Sequence, residues 1–283
     1  MIVWLNGIFL DESDAAIMPN DRGFLLGDGL FETVLVRRGR LVLFEAHIAR
    51  LEAGARALGI PLPAMEPGLA FACGGVLERN DLANAQNASV RITLTRGTGP
   101  RGLLPPGETI PTLLVTASPA ATPPVSLTAI IATGRRNELS PSANLKALTY
   151  LDSVLAKQEA RGRGADEAIL FNTHGALACA TAANVFLWEG DRLVTPPLSD
   201  GVLPGIVRAT VIELARYLKL AVTEESISLE RLHAASGLFL TNSLIGLVPL
   251  SSLESREVPA HGLTGRLQAA YELLIDDEAY GGL

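Results

Sequence analysis

Lysine and cysteine are scarce in this 283-residue chain, at three and two residues. Its two cysteines, Cys73 and Cys179, make no disulfide framework, which points to a reducing compartment. No basic stretch precedes an apolar one in the opening MIVWLNG, so no signal peptide is expected there. No uninterrupted apolar run approaches the roughly 18 residues of a spanning helix. The chain also lacks a G-x-x-x-x-G-K-[ST] loop, a strand-borne G-x-G-x-x-G and a G-x-S-x-G elbow. Its four histidines, His47, His174, His233 and His261, are scattered and match no ligand spacing, so no metal is expected. Lys plus Arg is 23 against 30 Asp plus Glu, and the net charge of −7 argues against nucleic acid or an anionic membrane as partner. The expectation is a soluble, cytoplasmic protein.

The scarcity makes the few lysines informative. Of the three, Lys157 and Lys219 fall on the polar side of helical patterns. Lys146, in SANLKALTY, stands just ahead of a helix, where a surface lysine has no obvious role. The apolar share of 48% suffices for a well-buried core, and the length suggests about two domains.

Local patterns divide the chain. VWL-NG-IFL reads as a hairpin on a type I′ turn at Asn6-Gly7, and FETVLV-RRGR-LVLF as a second hairpin. Residues 45–58 carry a helical stripe of Ile48, Leu51, Ala55 and Leu58, stopped by Gly59 and Pro61. A helix within 66–80, strand SVRITLT, loop RGTGPRG and strand TLLVTA complete a first domain over 1–117. SPAATPP, 118–124, is Pro-rich, uncharged and aperiodic, as a linker should be. The second domain, 125–283, holds strands VSLTAII, DEAILF, NVFLW, RLVTPP and GLFLT, with helices at 149–160, 204–218 and 262–275. Pro204 is expected near the first position of its helix. Strands and helices mix without βαβ alternation, so the fold class is α+β in two domains.

Several stretches could carry chemistry, and each has a plainer reading. GDGLFET, 27–33, could be only a turn that feeds a strand. RGTGPRG, 96–102, is a solvated turn or a loop that captures a carboxylate through Arg96 and Arg101. Arg50 could be solvated on its helix, though His47 lies one turn away. PGIVR, 204–208, opens a helix whose free N–H groups suit a phosphate or merely water.

In order, DRGFLLGDGLFET, HIARLEAGARALGI, RGTGPRG, NLKALTYLDSVLAKQEA, GADEAILFN, AANVFLW, GVLPGIVR and FLTNSLIGLVP resemble the class IV, fold-type IV pyridoxal phosphate enzymes. That family includes branched-chain and D-amino-acid aminotransferases and 4-amino-4-deoxychorismate lyase. The resemblance runs through essentially the whole chain. It implies the two-domain fold of D-amino-acid aminotransferase, pyridoxal 5′-phosphate as cofactor, and a homodimer. Lys146 is then the catalytic amine that bonds the cofactor and moves the substrate proton. Arg50, the backbone of Ile206 and Val207, and Ser243 would hold the phosphate, and Leu203 would pack on the pyridine ring. Phe31, Thr33, Arg96, Arg101 and Asn242 would face substrate.

Within the family, FETV and TNSLIGLVP look more like the lyase, with aminotransferase action on branched-chain or D-amino acids as the alternative. One position departs from the pattern. The glutamate that pairs with the pyridine nitrogen belongs at Cys179, and no Asp or Glu occurs between Glu167 and Glu189. A thiol with a reference pKa of about 8.5 is mostly neutral and a weak donor. The cofactor would be a poorer electron sink, which disfavours a reversible transaminase more than a lyase whose product gains aromaticity. Alternatively, Cys179 is a small buried filler.

Overall fold

The computed structural model describes residues 1–63 and 68–280, the last three by backbone alone. The chain divides into two compact units. One comprises Met1–Ala121, Lys146–Thr149 and Ile275–Leu283; the other comprises Thr122–Leu145 and Tyr150–Leu274.

The first unit opens with β1 (Ile2–Leu5) and β2 (Ile8–Asp11), joined at Asn6 and Gly7 with φ of 48° and 100°. These angles suit the expected type I′ turn. A short helix, α1 (Arg22–Leu26), leads to β3 (Gly29–Arg37), which turns into β4 (Arg40–Leu41). The strand expected over LVLF is only these two residues long. Leu43 adopts a left-handed φ of 51°, and α2 (Phe44–Leu58) starts directly after it. The buried side of α2 is His47, Leu51, Gly54 and Ala55, so the stripe is centred one residue earlier than the apolar pattern suggested. α3 (Leu69–Arg79), β5 (Asn87–Thr95) and β6 (Thr112–Pro119) follow. Residues 66 and 67 of the helix expected at 66–80 lie outside the described residues.

The six strands form an antiparallel sheet in the order β2-β1-β6-β5-β3-β4. Strand alternation gives this sheet two unlike faces. Leu30, Val34, Val90, Ile92, Leu94, Leu113 and Val115 are buried, with α2 against β3 and α3 against β6. Each such burial contributes roughly 1.5–3 kcal/mol. The opposite face carries Phe31, Thr33, Arg91 and Thr93 in register.

The second unit contains β7 (Leu127–Arg136), α4 (Leu151–Gly162), β8 (Glu167–Asn172), β9 (Leu177–Ala180), β10 (Asn184–Glu189) and β11 (Arg192–Thr195). After these come α5 (Ile206–Tyr217), β12 (Val222–Glu224), α6 (Leu229–Ala234), β13 (Gly237–Asn242), β14 (Gly246–Leu253), β15 (Arg256–Glu257) and α7 (Gly262–Tyr280). Pro204 stands ahead of the N-cap Gly205 and not at the first helical position. The sheet runs β12-β11-β10-β13-β14-β7-β8-β9, with β15 on β14. β7 is parallel to β14 and β8, and β12 to β11, while the other pairs are antiparallel. One face of β10 and β13 packs Val185, Leu187, Leu238 and Leu240 into a core. The other carries Phe186 stacked on Phe239, with centroids 5.0 Å apart, and α5 lies against β13. The arrangement is α+β, as the mixture of patterns implied. No helix among the described residues is long and apolar enough to cross a membrane.

Candidate active site

The first unit builds a cationic cluster around β3. The upper edge of that strand would leave backbone groups unpaired, and the segment from Lys146 supplies their partners. Phe31 N donates to Lys146 O at 3.0 Å and Leu148 N donates to Gly29 O at 3.0 Å. Lys146 Nζ then lies 4.4 Å from the centre of the Phe31 ring, and the Arg91 guanidinium carbon lies 3.9 Å from it. Burial, and the positive charge of Arg50, lower the Lys146 amine to about 8, although Glu32 pulls the other way. Such an amine changes charge near neutrality, as proton transfer requires.

On the helix side of β3, buried Glu32 accepts from Arg50 Nε at 2.8 Å and Nη2 at 2.6 Å, and its Oε2 lies 2.7 Å from His47 Nδ1. His47 and Arg50 reach it together because three residues along a helix share a face. Burial pushes the Glu32 carboxyl up, but the Arg50 and His47 hydrogen bonds outweigh it and hold the group below its usual range. Burial also lowers the His47 imidazole. Thr33 is half-buried, two residues from Phe31 and opposite Arg91 in the ladder.

The DRG segment is a structural knot. Asp21, fully buried, accepts from Gly23 N, Thr95 Oγ1 and Thr112 Oγ1 at 2.7–2.8 Å. Asp28 lies between two arginines, accepting from Arg22 Nε and Arg96 Nε, each at 2.8 Å. Arg22 also donates to Gly102 O and Leu103 O at 3.0 and 2.9 Å, which roots the loop that carries exposed Arg101. Arg96 does not reach toward substrate as its place in RGTGPRG suggested. It is buried, and its remaining donors bind Leu58 O at 2.7 Å and Gly59 O at 2.9 Å, the carbonyls at the end of α2.

The second unit presents a clamped turn ahead of α5. Its carbonyls accept from side chains: Leu198 and Val202 from Asn144 Nδ2 at 3.0 and 2.7 Å, Gly201 from Arg136 Nε at 2.7 Å, and Leu203 from Asn184 Nδ2 at 3.0 Å. Gly205 is the N-cap and offers no side-chain cap to the N–H groups of Ile206 and Val207. A Cβ at Gly205 would collide with Asn184 Oδ1 and displace the side chain that holds Leu203 O. Leu203 is half-buried in the turn, and Ser243 is half-buried just after β13.

Asn242 is engaged locally. Its Oδ1 accepts from Leu244 N and Ile245 N, both at 2.9 Å, and its Nδ2 donates to Ala182 O at 3.2 Å. It therefore shapes the turn that bears Ser243 instead of offering its amide to substrate. Cys179, on β9, lies opposite Leu170 of β8 and packs against the cluster of Ile130, Ala132, Ala156, Ala160, Ala168 and Leu170. Burial raises its thiol, opposed by the charge of Arg136 and assisted by that of Glu167. Glu167 is itself occupied by Thr181 Oγ1 at 2.5 Å and Lys157 Nζ at 3.1 Å.

Sequence reasoning missed Glu32, Arg91 and the clamping side chains Arg136, Asn144 and Asn184. Glu32 was within reach, since period-two alternation puts it opposite Phe31; Arg91 lies on β5 and joins the Phe31 face only through the register that pairs it with Thr33. The clamps act on carbonyls far along the chain, and no local pattern marks them. Among the described residues, no group of His, Cys, Asp or Glu could hold a metal ion.

A two-unit α+β fold, with an activated lysine in one unit and a clamped, uncapped helix start in the other, defines a class of cofactor-dependent enzyme. Residues 29–253 match the amino-transferase class IV family, and the chain belongs to it. It is 36% identical to a putative branched-chain-amino-acid aminotransferase of Methanocaldococcus jannaschii, over 91% of this chain and 90% of that protein. It is 30% identical to an aminodeoxychorismate lyase of Bacillus subtilis, over 98% of this chain and 94% of the other. The solved branched-chain amino acid aminotransferase of Escherichia coli superposes with a TM-score of 0.90 at 25% identity, covering 97% of this chain and 94% of that one.

Proposed function

We propose that this chain is a 4-amino-4-deoxychorismate lyase dependent on pyridoxal 5′-phosphate and active as a homodimer. The residues present fit the cofactor. The uncapped start of α5 offers N–H groups to a phosphate, and Arg50 is a cation fixed by Glu32. Lys146, lowered to about 8, is an amine that can be neutral and nucleophilic near physiological pH. When bound, the cofactor supplies an electron sink for charge that develops at the substrate carbon.

The protein's residues do the rest in this reading. Arg50, Ile206, Val207 and Ser243 hold the phosphate, and Leu203 packs on the ring. Lys146 attaches the cofactor and moves the proton of the substrate. Phe31 and Thr33 line the substrate side, where exposed Arg91 and Arg101 supply cations for two carboxylates. Arg91 takes the place first given to Arg96.

The observation that carries the lyase reading is Cys179. A raised, neutral thiol gives the ring nitrogen no counter-charge, and Glu167, the carboxylate whose charge bears on it, is engaged elsewhere. Electron withdrawal through the ring is then weak, which handicaps a reversible transamination most. Loss of pyruvate from aminodeoxychorismate leaves an aromatic product and drives the step from the substrate side. The second reading, a class IV aminotransferase, is favoured by the 36% identity to the Methanocaldococcus protein.

A second copy as partner is supported by exposed Phe24, Leu25 and Leu26 of α1 and exposed Leu103 and Leu104. Arg22 ties that loop to α1, and exposed apolar side chains of this kind favour an interface. The deciding experiment incubates purified protein with aminodeoxychorismate, and separately with D- or L-amino acids plus a 2-oxo acid. Pyruvate and 4-aminobenzoate should form with the higher kcat/KM. Equal or faster transamination establishes the second reading.

A further inference from the structure

Phe31 is contacted by two cations. Its ring centre lies 3.9 Å from the guanidinium carbon of Arg91 and 4.4 Å from Lys146 Nζ, so the two charges are no farther apart than those distances together. An aromatic face attracts a cation, but a second cation on the same ring adds repulsion between the charges. The fold holds both in place. Phe31 N donates to Lys146 O at 3.0 Å, and Arg91 Nε donates to Thr93 Oγ1 at 3.2 Å, with Thr93 directly across from Phe31 in the ladder. Glu32, the anion that bears on the amine, lies on the other side of β3 and is engaged by Arg50 and His47. Lys146 therefore feels Arg50 and Arg91 against Glu32. Glu32 is buried and Arg50 is 14% exposed, but Arg91 is exposed and within reach of a ligand.

The amine has two tasks with opposed demands. It must be neutral to bond the cofactor, and basic to take the substrate proton. We propose that Arg91 couples the charge of the substrate to Lys146: a carboxylate docked on the guanidinium compensates the cation beside the amine and turns Lys146 from a nucleophile into a proton acceptor. Without a ligand, Arg91 adds to burial and Arg50 in keeping the amine at about 8. Once substrate compensates that charge, the amine becomes more basic, and only a substrate that places an acid group there produces the change. Arg91 then selects for an acidic substrate through the proton-transfer step as well as through binding. The inference rests on the roles given to Lys146 and Arg91 above and adds the link between them.

The test is a pH titration of isotope-labelled lysine in the full chain freed of cofactor, with succinate as the anion and succinamide as its neutral counterpart. In wild type, saturating succinate should raise the Lys146 titration by roughly half to one unit, and succinamide should leave it in place. Arg91→Gln should start higher by a similar amount and should not respond to succinate. Arg91→Lys keeps the charge and should respond as wild type does. Borohydride reduction with pyridoxal phosphate present serves as the separate check, and should fix the cofactor on the peptide that contains Lys146. If it marks another residue, the reading of Lys146 fails and this inference with it. If Lys146 is marked but succinate leaves its titration unchanged, or shifts it equally in Arg91→Gln, the coupling alone is overturned.

Discussion

Glu32→Gln is the sharpest probe of the lysine cluster, because two measurable consequences follow from one charge. Glu32 is 1% exposed and Arg50 is 14% exposed, so water screens their attraction little. Removing one partner's charge from a buried pair costs about 3–5 kcal/mol. Arg50 keeps some solvent contact and glutamine retains one acceptor, which places the expected loss near the lower end, about 3 kcal/mol. The second consequence concerns Lys146. Glu32 is the negative charge that supports its protonated form, against Arg50 and Arg91. Without it, the amine should titrate below about 8. Urea unfolding reads the first effect, and a pH titration of isotope-labelled lysine reads the second, with only three lysines to resolve. The pH dependence has a definite sign. Because the Glu32 carboxyl is held below its ordinary value of 4.5, its contribution is full above that pH and is lost as pH falls through the folded value. The stability gap between wild type and variant should therefore narrow in acid. A Lys146 titration that stays at about 8 or rises, with stability unchanged, would refute the electrostatic account.

Three further outcomes are expected. Arg91→Ala should raise KM by roughly tenfold with little change in unfolding, whereas Arg96→Ala should lower stability by about 2–3 kcal/mol through its lost bonds to Asp28 and α2; the opposite pattern in kinetics and denaturation would show the two arginines to be missorted. Cys179→Glu should give the cofactor nitrogen a counter-charge, visible in shifts of nitrogen-labelled cofactor and in faster single turnovers with amino acids, while Cys179→Ala changes little; if Ala abolishes activity and Glu alters nothing, the thiol has a chemical role. Asn184→Ala should destabilise by about 1–3 kcal/mol and shed cofactor on dialysis, because Leu203 O loses its donor beside the start of α5; wild-type retention and stability would show that the clamp does not position that turn.

Much of the fold was legible because its signals are local. Asn6-Gly7 requires two positive φ angles, and the hairpin at residues 2–11 forms around them. Gly59, with φ of 63°, ends α2 where the pattern stopped. The errors arose where a distant contact overrode a local preference. LVLF has strand composition, yet the chain leaves the sheet after Leu41, and α2 turns inward on His47 to meet Glu32. An apolar count could not find that stripe, because its strongest contact is polar.

Arg91, on the strand ending at Thr95, and Arg96, just after it, show why a site is harder to read than a fold. A loop arginine in a Gly-rich stretch, such as Arg96, invites the thought of substrate. Its actual environment follows from the end of a helix: Leu58 O and Gly59 O have no intrahelical donor, and a guanidinium with five donors in a fixed fork can satisfy them while it pairs with Asp28. Arg91 sits on a regular strand, where a charge reads as solvated surface. Alternation decides otherwise, since it shares its face with Phe31 and stacks on the ring that also meets Lys146. Charge type marked both residues as candidates; only the unpaired carbonyls around one and the aromatic ring beneath the other separate a structural clamp from a group positioned for an anion.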